Sequence, residues 1–221
     1  MNSTNLLIIE VILCLFTQIF LYSHYKIKGL YAYTIIALIL SSIMSLKTIS
    51  LYGFDLNLGI VPFITIFTTS NILIQKKGPE ETKTLILTII ATFLISYAIL
   101  YLVKLMNPSN INLFTSASYD NIFNDSLRIY FANFVTILYS LLLNSKLYYY
   151  LKKMKNIILV SNLFSTIIIQ FISSILFGLI AYIFIKEPID IIKIIMIRYL
   201  TSLIIGLIST ISIYLTKNVK E

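Results

Sequence analysis

Apolar stretches of roughly 20 residues recur almost from one end of this chain to the other, the length a helix needs to cross a ~30 Å hydrocarbon layer. They fall near 6–22, 30–46, 56–74, 84–103, 129–145, 156–185 and 191–216. The pattern predicts an all-α fold, a polytopic membrane helix bundle of about seven (six to seven) transmembrane helices. The sixth stretch exceeds what a crossing requires, so part of it is expected to tilt or to lie at the interface. Apolar residues make up 58% of the 221 and charged ones 12%, too little polar surface to cover a water-soluble domain. No connecting segment is long enough to fold alone, so 1–221 reads as a single integral membrane domain without an internal repeat.

The charges are placed by loop, not by patch. The connections after spans one, three and five, with the tail, hold Lys26, Lys28, Lys76, Lys77, Lys83, Lys146, Lys152, Lys153, Lys155, Lys217 and Lys220. The opposite connections hold only Lys47, Lys104 and Lys186, alongside Asp55, Asp120, Asp125, Glu187 and Asp190. A net charge of +8 distributed this way argues against nucleic acid as a partner. By the positive-inside rule it predicts a plasma-membrane protein with its N-terminus outside and its C-terminus in the cytoplasm. The first basic residue, Lys26, follows the first apolar run, so that run lacks the basic start of a cleavable signal and reads as a retained span.

Local signals mark the ends of spans. In 76–83 (KKGPEETK), Gly78 relaxes the backbone, Pro79 suits a first helical position, and Glu80 and Glu81 suit a helix N-terminus. Spans three and four should therefore form a tight hairpin. Tyr148, Tyr149 and Tyr150 beside Lys152 and Lys153 form an interfacial belt at the end of span five. The longest connection, 104–127, rich in Asn and Ser with Pro108, reads as an external loop or surface helix.

Inside the spans, polar side chains recur on single helix faces. Phe67, Asn71 and Gln75 lie at i, i+4, i+8; Asn133, Thr136, Ser140 and Asn144 share a face, as do Asn162, Thr166, Gln170 and Ser173, and Arg198, Ser202, Ser209 and Ser212. In lipid such stripes turn toward protein or water, and together they could line one cavity. For each Ser or Thr, simple hydrogen bonding between helices is the competing reading. Amides are different, because their paired donors and acceptors match the edge of a heterocycle. Arg198 requires a polar partner or a water-filled cavity, whereas Arg128, Lys193 and Lys47 stand near span ends from which they can reach water.

Catalytic patterns are missing from the sequence. It has no G-x-x-x-x-G-K loop, no H-E-x-x-H and no G-x-S-x-G. His24, the one histidine, sits at a membrane edge, and Cys14, the one cysteine, lies about 15 Å away along a helix, so they form no thiol–imidazole pair. A single cysteine also excludes an internal disulfide or a thiolate metal site. Glu10 is the one carboxylate inside an apolar run, too few for a relay of acids. No cofactor and no metal are expected.

Several segments, in order, resemble a known family. Gly29–Leu30–Tyr31, Leu46–Lys47–Thr48, Leu51–Tyr52–Gly53, Leu58–Gly59, Phe67 and Gly78 match a pattern of G-L-Y, K-T before L-F-G, L-G-N and F-x-x-T-D-I-L-x-E-x-Y-G. Arg128–Ile129 with Ala132, Asn133 and Asn144 is similar to an R-I…A-S…D-V segment, and Asn162, Ser165, Thr166, Gln170 and Ser173 to N-x-x-S-T-x-x-x-Q-x-x-D-T. Arg198 stands near the place of the last intramembrane lysine. The family is the queuosine precursor transporters, also called the VUT family, and the likeness covers 28–215. It implies six or seven helices and uptake of a 7-deazaguanine, a flat purine-like base. The family's acids are replaced here by Asn71, Gln75, Asn144 and Ser173, and an asparagine by Ile60. Losing those carboxylates should weaken binding of an aminomethyl-bearing cation, leaving either a neutral analogue as ligand or a transport activity that has been altered or lost.

These readings lead to an uptake permease for a small heterocyclic substrate in the lipid bilayer, with a homo-oligomer neither required nor excluded. The candidate binding residues are Lys47, Phe67, Asn71, Gln75, Arg128, Asn133, Asn144, Asn162, Gln170 and Arg198. The alternatives are a non-catalytic membrane sensor or partner subunit and, more remotely, a membrane enzyme.

Overall fold

The structure is a computed structural model describing residues 3–51, 54–106, 113–155, 157–217 and 219, with the backbone alone at 51, 54, 104, 113–127 and 155. Tyr52, Gly53, Pro108, Asn156 and Lys220, which the sequence reading singles out, lie outside the described residues. Its first element, α1 (Ser3–Met44), has 42 residues. A straight helix of that length would run about 63 Å, twice the hydrocarbon thickness. It is not straight. Lys26 takes φ 55° and ψ −135°, and beyond it Gly29 comes so close to Leu21 that a Cβ would stand 2.1 Å from the Leu21 carbonyl oxygen. Residues eight apart on one straight helix would be about 12 Å apart along the axis. The chain therefore folds back at Lys26 into two packed arms, and only glycine fits where they touch.

A two-stranded antiparallel hairpin follows, β1 (Thr48–Leu51) and β2 (Phe54–Asn57), with Thr48 opposite Asn57 and Leu51 opposite Phe54. The fold is all-α as expected, with this hairpin as a small addition, and one boundary is corrected: Leu56 and Asn57 belong to a strand rather than to the third apolar span. The reason is local. The Asn57 side chain donates to the Ser45 carbonyl (2.6 Å) and accepts from the Gly59 amide (2.9 Å), which turns the chain before a helix can begin. Apolar content alone does not register such a turn.

Helix α2 (Ile60–Lys77) comes next and is the axis of the molecule, since every residue from Ile60 to Ile74 is buried. Gly78, at φ 93°, ends it. Around it stand α3 (Glu81–Lys104), α4 (Leu113–Lys155), α5 (Ile158–Tyr182) and α6 (Pro188–Lys217). Residues 113–127 continue α4 as helical backbone. The sixth apolar stretch is shorter as a helix than as a sequence run, because the chain leaves α5 after Tyr182 and turns, with Lys186 N–H donating to the Tyr182 carbonyl. Pro79 lies two residues ahead of α3, in a turn where Thr82 and Lys83 amides donate to the Pro79 and Glu80 carbonyls.

Among the described residues, α1, α3, α5 and α6 are long and apolar enough to cross a membrane. Their outer faces carry exposed side chains such as Phe16, Leu87, Ile95, Phe171, Ile192 and Ile204, the surface of a protein solvated by lipid. The α2 and α4 helices carry the buried amides Asn71, Asn133 and Asn144, and α2 is surrounded by protein. At one end of the bundle, Lys76 reaches across to the last carbonyls of α6, donating to Lys217 and Val219 oxygens at 2.9 Å each, where cations suit a helix C-terminus. We call this the lysine end and the other the hairpin end.

Substituting Gly29 by Val should destabilise the bundle by about 1–3 kcal/mol, because the arms of α1 must part to admit a side chain. Heating the purified protein with a thiol-reactive fluorescent maleimide, which reports exposure of Cys14, measures this. An unchanged midpoint would show that the arms do not pack as described.

Candidate functional site

Four helices bring their polar stripes together in layers spaced by one helical turn. The reference layer is a chain of hydrogen bonds at which the Asn144 amide donates to Asn71 (2.8 Å), the Asn71 amide to Asn162 (2.7 Å), and the Asn162 amide to the Thr210 hydroxyl (2.7 Å). Thr210 in turn donates to the Gly206 carbonyl at 3.2 Å. Each side chain comes from a different helix, α4, α2, α5 and α6, and all four are buried. One turn toward the lysine end, the Gln75 amide donates to the Tyr148 hydroxyl at 2.7 Å, and Lys152 Nζ stands 3.5 Å from the Gln75 carbonyl. Burial lowers the pKa of Lys152 from the usual lysine value. These two layers are polar but internally satisfied, and they close the bundle on that side.

Counting along each helix toward the hairpin end gives the next layers at about 1.5 Å per residue. Four residues on stand Phe67, Ser140, Thr166 and Gly206; the fit is verified at Gly206, where a Cβ would meet Thr166 Cγ2 at 2.5 Å. Eight residues on, about 12 Å from the amides, stand Phe63, Thr136, Gln170 and Ser202. Another turn brings Asn133, Ser173, Ser174 and Arg198. Arg198 confirms that register, since its guanidinium lies between the Phe177 ring (3.7 Å to the centroid) and the Phe63 ring (4.8 Å).

In these upper layers several polar atoms lack partners within the protein. Ser140 and Thr136 hydroxyls, Asn133 Oδ1, Gln170 Oε1, Ser173 and Ser174 hydroxyls and Arg198 Nη2 are all buried and unpaired. Buried polar groups are ordinarily satisfied, and each one left open costs about 1–3 kcal/mol, so seven on α4, α5 and α6 form a concentration of groups able to take polar contacts from water or a solute. Phe63 and Phe67, with centroids 5.4 Å apart, supply an aromatic wall from α2. Above Arg198 a cavity of about 130 Å³ lies under the β-hairpin, bounded by Asp55, Asn57, Ile60, Phe177, Tyr182 and Lys186 among others. The arginine thus separates this cavity from the unpaired groups beneath it.

The candidates from sequence divide accordingly. Asn71, Asn144 and Asn162 bond to one another and Gln75 to Tyr148, in the closed half. Gln170, Asn133 and Arg198 stand in the open half, although Asn133 also donates to Ser45 Oγ at 2.9 Å. Phe67 is buried between the two. Arg128 is elsewhere, donating from Nε to the Ile180 carbonyl (3.1 Å) to tie α4 to α5 at the hairpin end. The Lys47 side chain is exposed, and its main chain anchors the hairpin by accepting from Leu58 N–H. Sequence reasoning passed over Phe63, Phe177 and Thr210. The first lies one turn before Phe67 and the second seven residues after Gln170, so extending each stripe by periodicity finds both.

Buried polar side chains without partners, beside two aromatic rings of the central helix and inside a bundle with several helices of membrane-crossing length and apolarity, are features compatible with a membrane protein that handles a small solute. The family described as "putative vitamin uptake transporter" matches residues 57–216, from the end of β2 through α6, and the chain belongs to that family. It is a family of transporters and not of enzymes, which supports the resemblance to queuosine precursor transporters. The G-L-Y, L-K-T and L-Y-G segments precede the matched region. No curated protein and no solved structure matches the chain. Among the described residues no group of His, Cys, Asp and Glu is arranged to hold a metal ion.

Because Asn71 bonds on both sides, Asn71→Ala leaves both neighbours unpaired, and Asn162→Ala then removes little more. Each single change should cost about 1–2 kcal/mol, with the double variant falling at least ~0.5 kcal/mol short of their sum. A double-mutant cycle on thermal unfolding measures it; strict additivity would dissolve the chain of amides.

Proposed function

We propose that the chain is an uptake permease for a small, flat, neutral heterocycle of the 7-deazaguanine or purine class, a queuosine precursor, held in the chamber between Arg198 and the amide layer. The observation that carries this reading is the set of unpaired buried polar atoms beside the Phe63–Phe67 wall. A flat base offers ring faces for stacking and an edge of alternating donors and acceptors. Arg198 Nη2 would donate to a ring carbonyl, and Gln170 Oε1 and Asn133 Oδ1 would accept from ring N–H or amino groups. A cationic arm is disfavoured here, because the chamber holds an arginine and its side-chain partners are neutral.

The two arms of α1 and helices α2 to α6 make seven crossings in this reading, with the N-terminus outside, the lysine end in the cytoplasm and the hairpin end facing out. Substrate would enter beneath the β-hairpin, pass Arg198 and leave once the amide and Gln75–Tyr148 layers part. The cavity under the hairpin is smaller than the roughly 300 Å³ of a ligand pocket, so the hairpin has to shift to admit a base. The closed half consists of neutral hydrogen bonds, each contributing about 1 kcal/mol, and can open without separating charges.

Uptake of a radiolabelled neutral 7-deazaguanine by cells unable to synthesise it should depend on this protein. Gln170→Leu and Arg198→Gln should each reduce it about tenfold or more, as expected for one lost hydrogen bond to a buried ligand, with Lys47→Ala unchanged. Uptake no greater than in cells without the protein would overturn the reading, as would wild-type uptake by both chamber variants.

A further inference from the structure

A second feature lies away from the chamber, on the lipid-facing seam between α3 and α4 at the lysine end. A groove of about 500 Å³ opens there, lined on one side by the start of α3, from Pro79 to Ile86, and on the other by Leu142, Ser145, Lys146, Tyr149, Tyr150 and Lys153. Its charge is one-sided. Lys83 is paired with Glu80, an ion pair exposed on the turn, whereas Lys146 and Lys153 have no acidic partner among the described residues. At the groove's inner edge, Thr82 is 1% exposed and its hydroxyl finds no hydrogen-bond partner in the protein. That hydroxyl sits in the first turn of α3, where the helix dipole favours negative charge.

The groove also changes character along its length. Lys153, Tyr150, Tyr149, Lys146 and Leu142 share one face of α4 over about 16 Å, with two cations flanking a pair of tyrosines and an apolar side chain at the deep end. Across from Leu142 stands Ile86, so the deep end is apolar on both sides. A basic, aromatic part next to an apolar deep end suits an anionic phospholipid, whose phosphate adjoins an acyl chain.

We propose that the α3–α4 groove is a binding site for an anionic phospholipid, with its phosphate held by Thr82 Oγ1, Lys146 and Lys153 and an acyl chain lying between Ile86 and Leu142. The lysines give the charge selectivity, and the buried hydroxyl gives a fixed hydrogen bond that a diffuse basic surface lacks. The apolar half distinguishes a lipid phosphate from a free one. The site stands on the α3–α4 seam, apart from the chamber, and does not depend on what the chamber carries.

The full-length protein, purified in detergent, would be titrated separately with dioleoyl phosphatidylglycerol, dioleoyl phosphatidylcholine and inorganic phosphate, and retained molecules counted by native mass spectrometry. Phosphatidylglycerol should be retained at least about tenfold over phosphatidylcholine, and inorganic phosphate should neither bind nor displace it. The Lys146→Ala/Lys153→Ala pair should abolish that preference and Thr82→Val should weaken it, while Lys26→Ala/Lys28→Ala, at the same end but outside the groove, should leave it intact. Equal retention of both lipids overturns the proposal. So does displacement by inorganic phosphate, which would make the site a free-anion site, or an equal loss in the Lys26/Lys28 variant, which would reduce it to general surface charge.

Discussion

A polar group buried within a bilayer must find its hydrogen bond inside the protein, and the central helix of this molecule is arranged around that constraint. With Ile60–Ile74 buried throughout, α2 exposes no polar side chain to water along that stretch. Apart from Ser70, whose hydroxyl has no partner, its polar side chains there bond within the protein, and several tie α2 to its neighbours. Gln18 from α1 donates to Thr69 Oγ1 (2.7 Å) and to the Thr65 carbonyl, and Tyr33 donates to Thr65 Oγ1. Thr68 donates to Ser209 on α6, and Asn71 joins α4 to α5. Apolar contact in lipid offers helices little net attraction, so these bonds and close packing must specify which helix stands where. Close packing contributes at Gly178, where a Cβ would lie 2.4 Å from Ile195 Cγ1, as at Gly206.

The same constraint makes the unpaired groups informative. Where α2 presents Asn71, four helices meet in a complete chain of bonds; where it presents Phe67 and Phe63, its neighbours present hydroxyls and amides that nothing on α2 can satisfy. An aromatic ring offers a face but few hydrogen bonds, so the polar atoms on α4, α5 and α6 point at an apolar wall. Packing apolar side chains opposite them would serve stability better. The mismatch persists over two helical turns and ends at Arg198, whose charge is set between two ring faces rather than beside a carboxylate. Arg198 is thus held by cation–π contact while keeping Nη2 free.

Much of this was legible from residue order. The apolar runs gave five of the six helices to within about four residues at each end, and the four-residue spacing of Asn71, Gln75, Asn144, Asn162, Gln170 and Arg198 placed them on inward faces. Which of them would pair was not legible, because stripes from separate helices carry no information about their relative height. Asn71 meets Asn162 and not Gln170 only because α2 and α5 pack at one register, a property of interlocking side chains such as Gly206 against Thr166. The reversal at Lys26 was visible as a break between apolar runs, but the positive φ and the contact of Gly29 with Leu21 were not. The β-hairpin was missed because its strands are four residues each, too short for an alternating pattern to stand out beside long apolar runs.

The amides Asn71, Asn144 and Asn162 make physical sense as a set. In the chain Asn144–Asn71–Asn162–Thr210, Asn71 donates on one side and accepts on the other, which a carboxylate cannot do. An ionised group there would force Asn162 to turn its amide inward and Thr210 to donate to Asn162 instead of to the Gly206 carbonyl. The hydrogen bonds could be rebuilt; the charge could not be compensated, because Arg198 stands twelve residues up α6 from Thr210, about 18 Å away. A charge buried without a partner is far more costly than a neutral amide in the same place. Neutrality at Asn71 therefore goes together with neutrality at Asn144 and Asn162, and with an arginine committed to the far end of the chamber. In the permease reading proposed above, a site so composed would select by the pattern of donors and acceptors on its ligand rather than by opposite charge.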